Sequence, residues 1–250
     1  AQVYCLVRSD DAIGGRARIL QKLAHAFPGE VVDSERIVAV PGDLALSSFG
    51  LAKAAFAALA DTIDLIVHCG AATHWLERYT NLKPVNVLGT VEVIRLAAPR
   101  LIPIHHVSSV GIFPLGGSVA YPVFDERTPL DHGGVLLGGY AQSKWVAEKL
   151  MANARTQGLS VTVHRPSLIV GAGRTGVWLG DSLVLNMLRS WIELGAAPEV
   201  EAELDLVPVD SVSDAIAHAI ACGGAAADHA SDVYHLNNSQ PVPVQALAAA

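Results

Sequence analysis

Residues 64–72 read Asp64-Leu65-Ile66-Val67-His68-Cys69-Gly70-Ala71-Ala72. The apolar run at 64–68 and the Gly/Ala turn behind it predict a short buried strand with a tight exit. From about 82 to 98 the apolar spacing predicts one long helix. Residues 102–107 then predict a second strand, which runs into Ser108-Ser109. A strand, a helix of ten or more residues and another strand form a βαβ unit, and its two strands must lie parallel.

The same alternation continues on both sides. Residues 2–7 and 37–40 predict strands, the second closed by Pro41-Gly42-Asp43. Helices are predicted at 14–27, with Ile19, Leu20, Leu23 and Phe27 near helical spacing, and at the alanine-rich 52–59. After an irregular Gly/Pro stretch come a helix near 140–156 and a strand at 161–170, interrupted only by His164-Arg165-Pro166. A helix at 182–194, a short strand at 206–208, a helix at 210–220, a strand at 233–236 and a helix from 244 complete the series. The expected fold is α/β, a Rossmann-like doubly wound, mostly parallel sheet. Ligands on such sheets sit at the C-terminal ends of the strands.

Composition narrows the function classes. Of 250 residues 51% are apolar and 16% charged, with mean hydropathy +0.38. Charged residues interrupt the apolar runs before the roughly 20 residues a membrane span needs. The composition also excludes disorder, collagen-like repeats and coiled coil. A net charge of -7 and pI of 5.8 argue against a sequence-independent grip on nucleic acid or anionic lipid. Cys5, Cys69 and Cys222 lie far apart with no CxxC, so no metal site is expected. Cys5 and Cys69 read as buried free thiols, and the two rings of His105-His106 should point to opposite faces of their strand. No secretory signal is visible, and a reducing cytoplasm is the expected compartment.

The strongest local chemical signal is Gly139-Tyr140-Ala141-Gln142-Ser143-Lys144, which opens a predicted helix. Its i,i+4 spacing sets a phenol and an ammonium on one helix face. The ammonium should draw the phenol's pKa down from about 10 toward working pH. Ser109, at a strand end, offers a hydroxyl to share a substrate oxygen with that phenol. The competing structural reading is a tyrosine packed at a helix start with an exposed lysine.

On these residues the chain resembles the extended short-chain dehydrogenase/reductases. Gly42-Asp43-Leu44 resembles the segment that meets the adenine, and His68-Cys69-Gly70-Ala71-Ala72 the turn lining the cofactor. Asn86-Val87-Leu88-Gly89-Thr90 resembles the helix motif whose Asn organises a water and backbone relay. In Val107-Ser108-Ser109 the position of Ser109 corresponds to the catalytic hydroxyl, and Tyr140 and Lys144 match the acid/base pair. Arg165 to Gly171 (RPSLIVG) resembles the strand passing the nicotinamide. The resemblance thus implies that Ser109, Tyr140 and Lys144 are catalytic. It implies cofactor contacts at Arg8, Arg18, Asp43, Leu44, Gly70, Ala71, Ala72, Asn86, Ser108, Lys144, Pro166, Ser167 and Leu168.

A narrower resemblance is to thioester reductase domains, which end nonribosomal peptide and polyketide assembly lines and occur in carboxylic acid reductases. It rests on Val3-Tyr4-Cys5-Leu6-Val7-Arg8, on Gly70-Ala71-Ala72-Thr73-His74-Trp75, on residues 140–150 (YAQSKWVAEKL) and on Leu206-Val207-Pro208-Val209-Asp210. His74 stands where such reductases often have Asn. Thr73, His74 and Trp75 are implied on the substrate side, with Trp75 equally readable as core. The partner implied is a phosphopantetheinylated acyl or peptidyl carrier protein within a multidomain synthetase.

Arg8, at a strand end where NAD enzymes carry an acid, points to the 2′-phosphate of NADPH. Arg18 either joins it or lies on a solvated helix face; Asp10 and Asp11 would oppose it unless they turn outward. Residues 1–170 are expected to form the NADP-binding domain, and 171–250 a substrate-binding region with returning sheet elements. The family pattern sets a strand and a Gly-x-x-Gly-x-x-Gly turn before the Arg8 strand, so roughly 30 further residues are expected ahead of Ala1. The rest of the substrate-binding region is likewise expected beyond residue 250. Alternatives are a fatty acyl-CoA reductase, a sugar-nucleotide epimerase or ketone reductase, and a non-catalytic dinucleotide-binding module.

Overall fold

The computed structural model describes residues 1–114, 123–131, 136–178, 180, 182–222 and 233–249. Parts of the expected irregular stretch (115–122 and 132–135) and the last residue of the expected C-terminal helix lie outside them. The chain forms two compact units, Ala1–His106 with Leu136–Thr162, and Val107–Val135 with Val163–Ala250.

The first unit is built on short parallel strands. β1 (Val3–Val7) pairs in parallel with β2 (Ile37–Pro41), Val3 opposite Ile37 and Val7 opposite Pro41. Between them α1 (Ala12–Ala26) starts on Asp11, whose carboxylate accepts the Gly14 N–H at 2.7 Å. Asp11 is therefore a helix cap, its carboxylate turned to the first turn of α1. Gly15 lets the helix press on the strands: a Cβ there would stand 2.8 Å from Val7 Cγ1 and 2.7 Å from Ser9 Oγ. α2 (Lys53–Thr62) follows, then β3 (Ile66–His68), which pairs in parallel with β4 (Ile104–Val107), His68 opposite His106.

The single helix expected at 82–98 is three pieces: α3 (Tyr79–Lys83), a π turn (Pro84–Leu88) and α4 (Gly89–Ala97). Pro84 has no N–H to give to the preceding turn. Its own carbonyl accepts the Gly89 N–H, a five-residue step that inserts one extra residue into the helix. α4 buries Gly89, Val93, Leu96 and Ala97, a face at i, i+4, i+7 and i+8, and packs against α5 (Gly138–Thr156). The buried face of α5 mixes small and polar groups: Ala141, Ser143, Lys144, Ala147, Glu148, Met151 and Ala154.

The second unit carries residues 163–166 of β5 (Val161–Pro166), parallel to β9 (Val233–Leu236), and β6 (Leu168–Val170), parallel to β8 (Leu206–Pro208). The strand expected at 161–170 thus breaks at Ser167, and His164-Arg165-Pro166 lie inside β5. Ser167 N–H bonds Leu236 O, while Leu168 N–H bonds Asp205 O, so the chain changes strand partners within one residue. α6 (Leu183–Leu194), α7 (Val209–Ala221) and α8 (Val244–Ala248) complete the unit, with a small antiparallel pair of β7 (Glu203–Leu204) and β10 (Val242–Pro243) that the sequence pattern did not announce. No helix among the described residues is long and apolar enough to cross a membrane. Among them, no group of three or more His, Cys, Asp or Glu could hold a metal ion.

Candidate active site

Two adjacent glycines set the start of α5. Gly138 turns the chain at φ +82°, and Gly139 admits the backbone of 77–79: a Cβ on Gly139 would lie 2.3 Å from Tyr79 N and 2.5 Å from Glu77 O. That close approach brings the Trp75 ring against the Tyr140 ring, centroids 5.4 Å apart and tilted by 38°. Trp75 remains partly exposed, and Thr73 and His74 are exposed.

Asn86, in the π turn, ties the turn after β3 to α5. Its Oδ1 accepts the Ala72 N–H at 2.7 Å, and its Nδ2 donates to Ala72 O and to Ser143 Oγ, each at 2.9 Å. Ser143 Oγ in turn donates to Tyr140 O at 2.8 Å. One buried amide thus holds a backbone segment in both directions and reaches the first turn of the helix that carries Tyr140 and Lys144. On the other side, Thr90 Oγ1 donates to Asn86 O at 2.7 Å and lies 3.1 Å from His68 Nε2.

The electrostatics differ from the sequence expectation in one respect. Burial against Trp75 pushes the Tyr140 phenol up to about 12, so it is a neutral acid rather than a group drawn toward phenolate. Lys144 is itself buried, and desolvation pulls its ammonium down to about 8, while the neighbouring Cys69 and Glu148 favour its charged form. Burial, and then the Lys144 charge, lower His68 to about 3 and keep the imidazole neutral. Cys69 is exposed rather than buried, because β3 ends at His68 and the thiol lies beyond the sheet. Cys5 is half-buried, and its thiol is pushed up by burial and by Cys69.

The residues of this unit expected to face a dinucleotide fall at or just beyond strand ends. Arg8 follows β1 with an exposed guanidinium, and Arg18 Nη1, on α1, donates to Arg8 O at 2.9 Å. Two cations therefore share the end of that strand, a donor set suited to a phosphate monoester. Asp43 accepts the Ala45 N–H at 2.8 Å in a tight turn. Leu44 is a wedge: a Cβ on Gly89 would lie 2.9 Å from its carbonyl, and one on Gly70 would lie 2.5 Å from its Cδ1. Gly70, Ala71 and Ala72 thus pass between Leu44 and the Asn86 amide. These groups fit a nicotinamide dinucleotide at its phosphate and ribose ends.

The second unit holds Ser108, Ser109, Pro166, Ser167 and Leu168. Ser108 is buried, its N–H donating to His164 O at 2.7 Å. Ser109 Oγ accepts the Gly111 N–H at 3.0 Å and keeps its own proton to donate. Pro166 ends β5, Leu168 begins β6, and the Ser167 hydroxyl donates to Asp205 at 2.9 Å. Sequence reasoning quoted Ser143, His68, Thr90 and Gly139 within larger motifs but gave none of them a role of its own. Another omission is Asp210, whose carboxylate accepts the Gly173 and Arg174 N–H groups at 3.1 Å and pairs with Arg174 at 3.5 Å. For Asp210 a signal existed, the Pro208-Val209-Asp210 entry to a helix. His68 ends an apolar run that reads as core, Thr90 lies in a predicted helix, and Gly139 and Ser143 stand inside the segment 139–144, where nothing local tells their partners.

Parallel strands alternating with helices, and a Tyr-x-x-x-Lys helix start with its lysine buried beside an Asn-clamped turn, define a Rossmann-like domain of the extended short-chain dehydrogenase/reductase type. The chain belongs to the "Male sterility protein" family of NAD-binding domains, which matches residues 1–216. It is 38% identical over 219 residues to the isonitrile lipopeptide synthase of Streptomyces coeruleorubidus, covering 87% of this chain and 15% of that protein. It is 36% identical to glycine betaine reductase ATRR of Emericella nidulans over 99% of this chain and 20% of the relative. Among solved structures it superposes on the terminal R domain from the myxalamid PKS-NRPS biosynthetic pathway with TM-score 0.88 and 42% identity, over 97% of this chain and 60% of that one. The chain therefore spans a small part of these two relatives and three fifths of that solved domain.

Proposed function

We propose that the chain is the reducing part of a terminal reductase, which uses NADPH to release a carrier-bound acyl or peptidyl thioester as an aldehyde and, after a second round, an alcohol. The observation that carries this reading is the neutral, half-buried Tyr140 one helical turn from the buried Lys144, both on a helix tied through Ser143 to Asn86. The family and the myxalamid R domain support the same chemistry.

Reduced nicotinamide, when bound, supplies the hydride. Arg8 and Arg18 are assigned the 2′-phosphate, and Lys144 the nicotinamide ribose. Asp43 and Leu44 are assigned the adenine side, and Gly70, Ala71, Ala72, Asn86, Ser108, Pro166, Ser167 and Leu168 the remaining cofactor contacts. Tyr140 hydrogen-bonds the thioester carbonyl oxygen and gives it a proton as negative charge develops there. Lys144 keeps the surroundings of that phenol positive, which favours loss of its proton in the step. Ser109 is assigned the second hydrogen bond to the same oxygen, an assignment that rests on the family pattern. Thr73, His74 and Trp75 are assigned the acyl side. Collapse of the thiohemiacetal then expels the pantetheine thiol, and the aldehyde returns to the same groups. The partner is the phosphopantetheinylated carrier domain of a cytoplasmic synthetase.

The test is cofactor oxidation by the purified protein with an acyl-pantetheine thioester, with trapping of the aldehyde. NADPH consumption and aldehyde formation with that thioester, and none with a UDP-sugar, are expected. Turnover of the sugar nucleotide alone would overturn the reading.

A further inference from the structure

The hydrogen bonds around Asn86 have a direction that the heavy-atom positions determine. Asn86 O is a carbonyl and can only accept, so the single hydroxyl proton of Thr90 is committed to it at 2.7 Å. The 3.1 Å contact between Thr90 Oγ1 and His68 Nε2 must then run the other way, with the imidazole donating. On the far side of Asn86, both amide protons are committed to Ala72 O and Ser143 Oγ, and Ser143 passes its own proton to Tyr140 O. Donors therefore follow one another in a single sense, from His68 through Thr90 to the Asn86 backbone, and from the Asn86 side chain through Ser143 to Tyr140.

From this ordering we infer that His68 and Thr90 are positioning residues: a neutral His68 protonated on Nε2 fixes Thr90, and Thr90 fixes the π turn that aims the Asn86 amide at Ala72 and Ser143. His68 is 5% exposed, Thr90, Asn86 and Ser143 are 2% or less, and all four lie in one compact unit. The charged and titratable groups around His68 agree with a neutral ring. Lys144 disfavours its protonation, and the His106 ring lies 5.2 Å away, centroid to centroid. The reason for such a device lies in the π turn: its five-residue step gives up regular helical bonding where Asn86 must be held most closely. A side-chain hydroxyl on the Asn86 carbonyl restores the constraint.

The consequence for turnover rests on the reductase reading, whereas the donor order does not. The decisive measurement uses the whole protein with nitrogen-15-labelled histidine, the His68 signals being identified by their loss in His68→Gln. Nitrogen shifts of an Nε2–H tautomer are expected, and an Nδ1–H ring would overturn the inference. For function, Thr90→Val should weaken NADPH binding, read by cofactor fluorescence, about tenfold, as expected for one buried hydrogen bond. Thr90→Ser, which keeps the hydroxyl, should stay within about twofold. Equal binding by Thr90→Val and the unsubstituted protein would also overturn it. Should Thr90→Val fail to fold, the comparison passes to His68→Leu, expected weaker, against His68→Gln, which keeps a donor and is expected near normal. An unsubstituted protein that binds no NADPH and reduces no thioester refutes the reductase reading, while the tautomer still decides the relay.

Discussion

At the scale of single residues, the proposed chemistry turns on a phenol that is hard to ionise and a lysine that is easy to neutralise. Tyr140, held up to about 12 by burial, keeps its proton until negative charge forms beside it. Tyr140→Phe removes that proton and little else. It should cut kcat by about 100-fold or more, the usual size of a lost general acid, while the NADPH dissociation constant stays nearly unchanged. Stopped-flow turnover beside equilibrium fluorescence separates the two. Arg8 makes the opposite kind of contribution. Arg8→Ala should weaken NADPH binding by about 10- to 100-fold, the range of one charge-assisted hydrogen bond, and leave NADH little changed. An equal loss for both cofactors would sink the phosphate assignment. The placement of Tyr140 and Lys144 one turn apart was legible in the sequence because it is set within a single helix, whereas Asn86 was singled out only through the family resemblance. His68, Thr90 and Ser143 were not legible. Their partners lie 22 and 57 positions apart, and nothing local states which polar side chain will meet another across such a separation.

At the scale of elements, close approach decides more than periodicity does. Apolar spacing correctly located α4 and α5 but joined α3, the π turn and α4 into one helix, because a hydrophobic stripe hardly registers one inserted residue. The break between β5 and β6 was missed for a related reason. The chain stays extended through both strands, and only the partner change at Ser167 separates them. The start of α5 makes the same point at a turn. Gly139→Ala would force a methyl against the Tyr79 and Glu77 backbone, neither of which can move as a side-chain tip could. It should destabilise the protein by about 1–3 kcal/mol, visible as a lower Tm, and reduce turnover by displacing Trp75 from Tyr140. Substitution at Gly158 (φ +94°, with open space around it) should cost only the backbone strain, which makes it the control.

At the scale of the whole molecule, burial of polar groups sets the response to acid. His68 titrates near 3 when folded and near 6.5 when unfolded. Between those values the unfolded chain holds a proton that the folded chain refuses. Stability is therefore complete above about pH 6.5 and falls as the pH drops below it, by on the order of 2 kcal/mol at pH 5. Melting curves from pH 7.5 to 5 should show this loss, and His68→Gln should flatten the slope. A steeper slope in the variant would contradict the assignment. Most of the α/β architecture was readable from alternating patterns, whereas the polar interior that tunes it was not. The buried face of α5, with Ser143, Lys144 and Glu148 where an ordinary helix would set leucines, carries a last implication. Selection for thermal endurance alone would trade those side chains for hydrocarbon and gain from it. A descendant that had lost its chemistry would therefore be recognisable by a greasier seam along this helix, long before its outline changed.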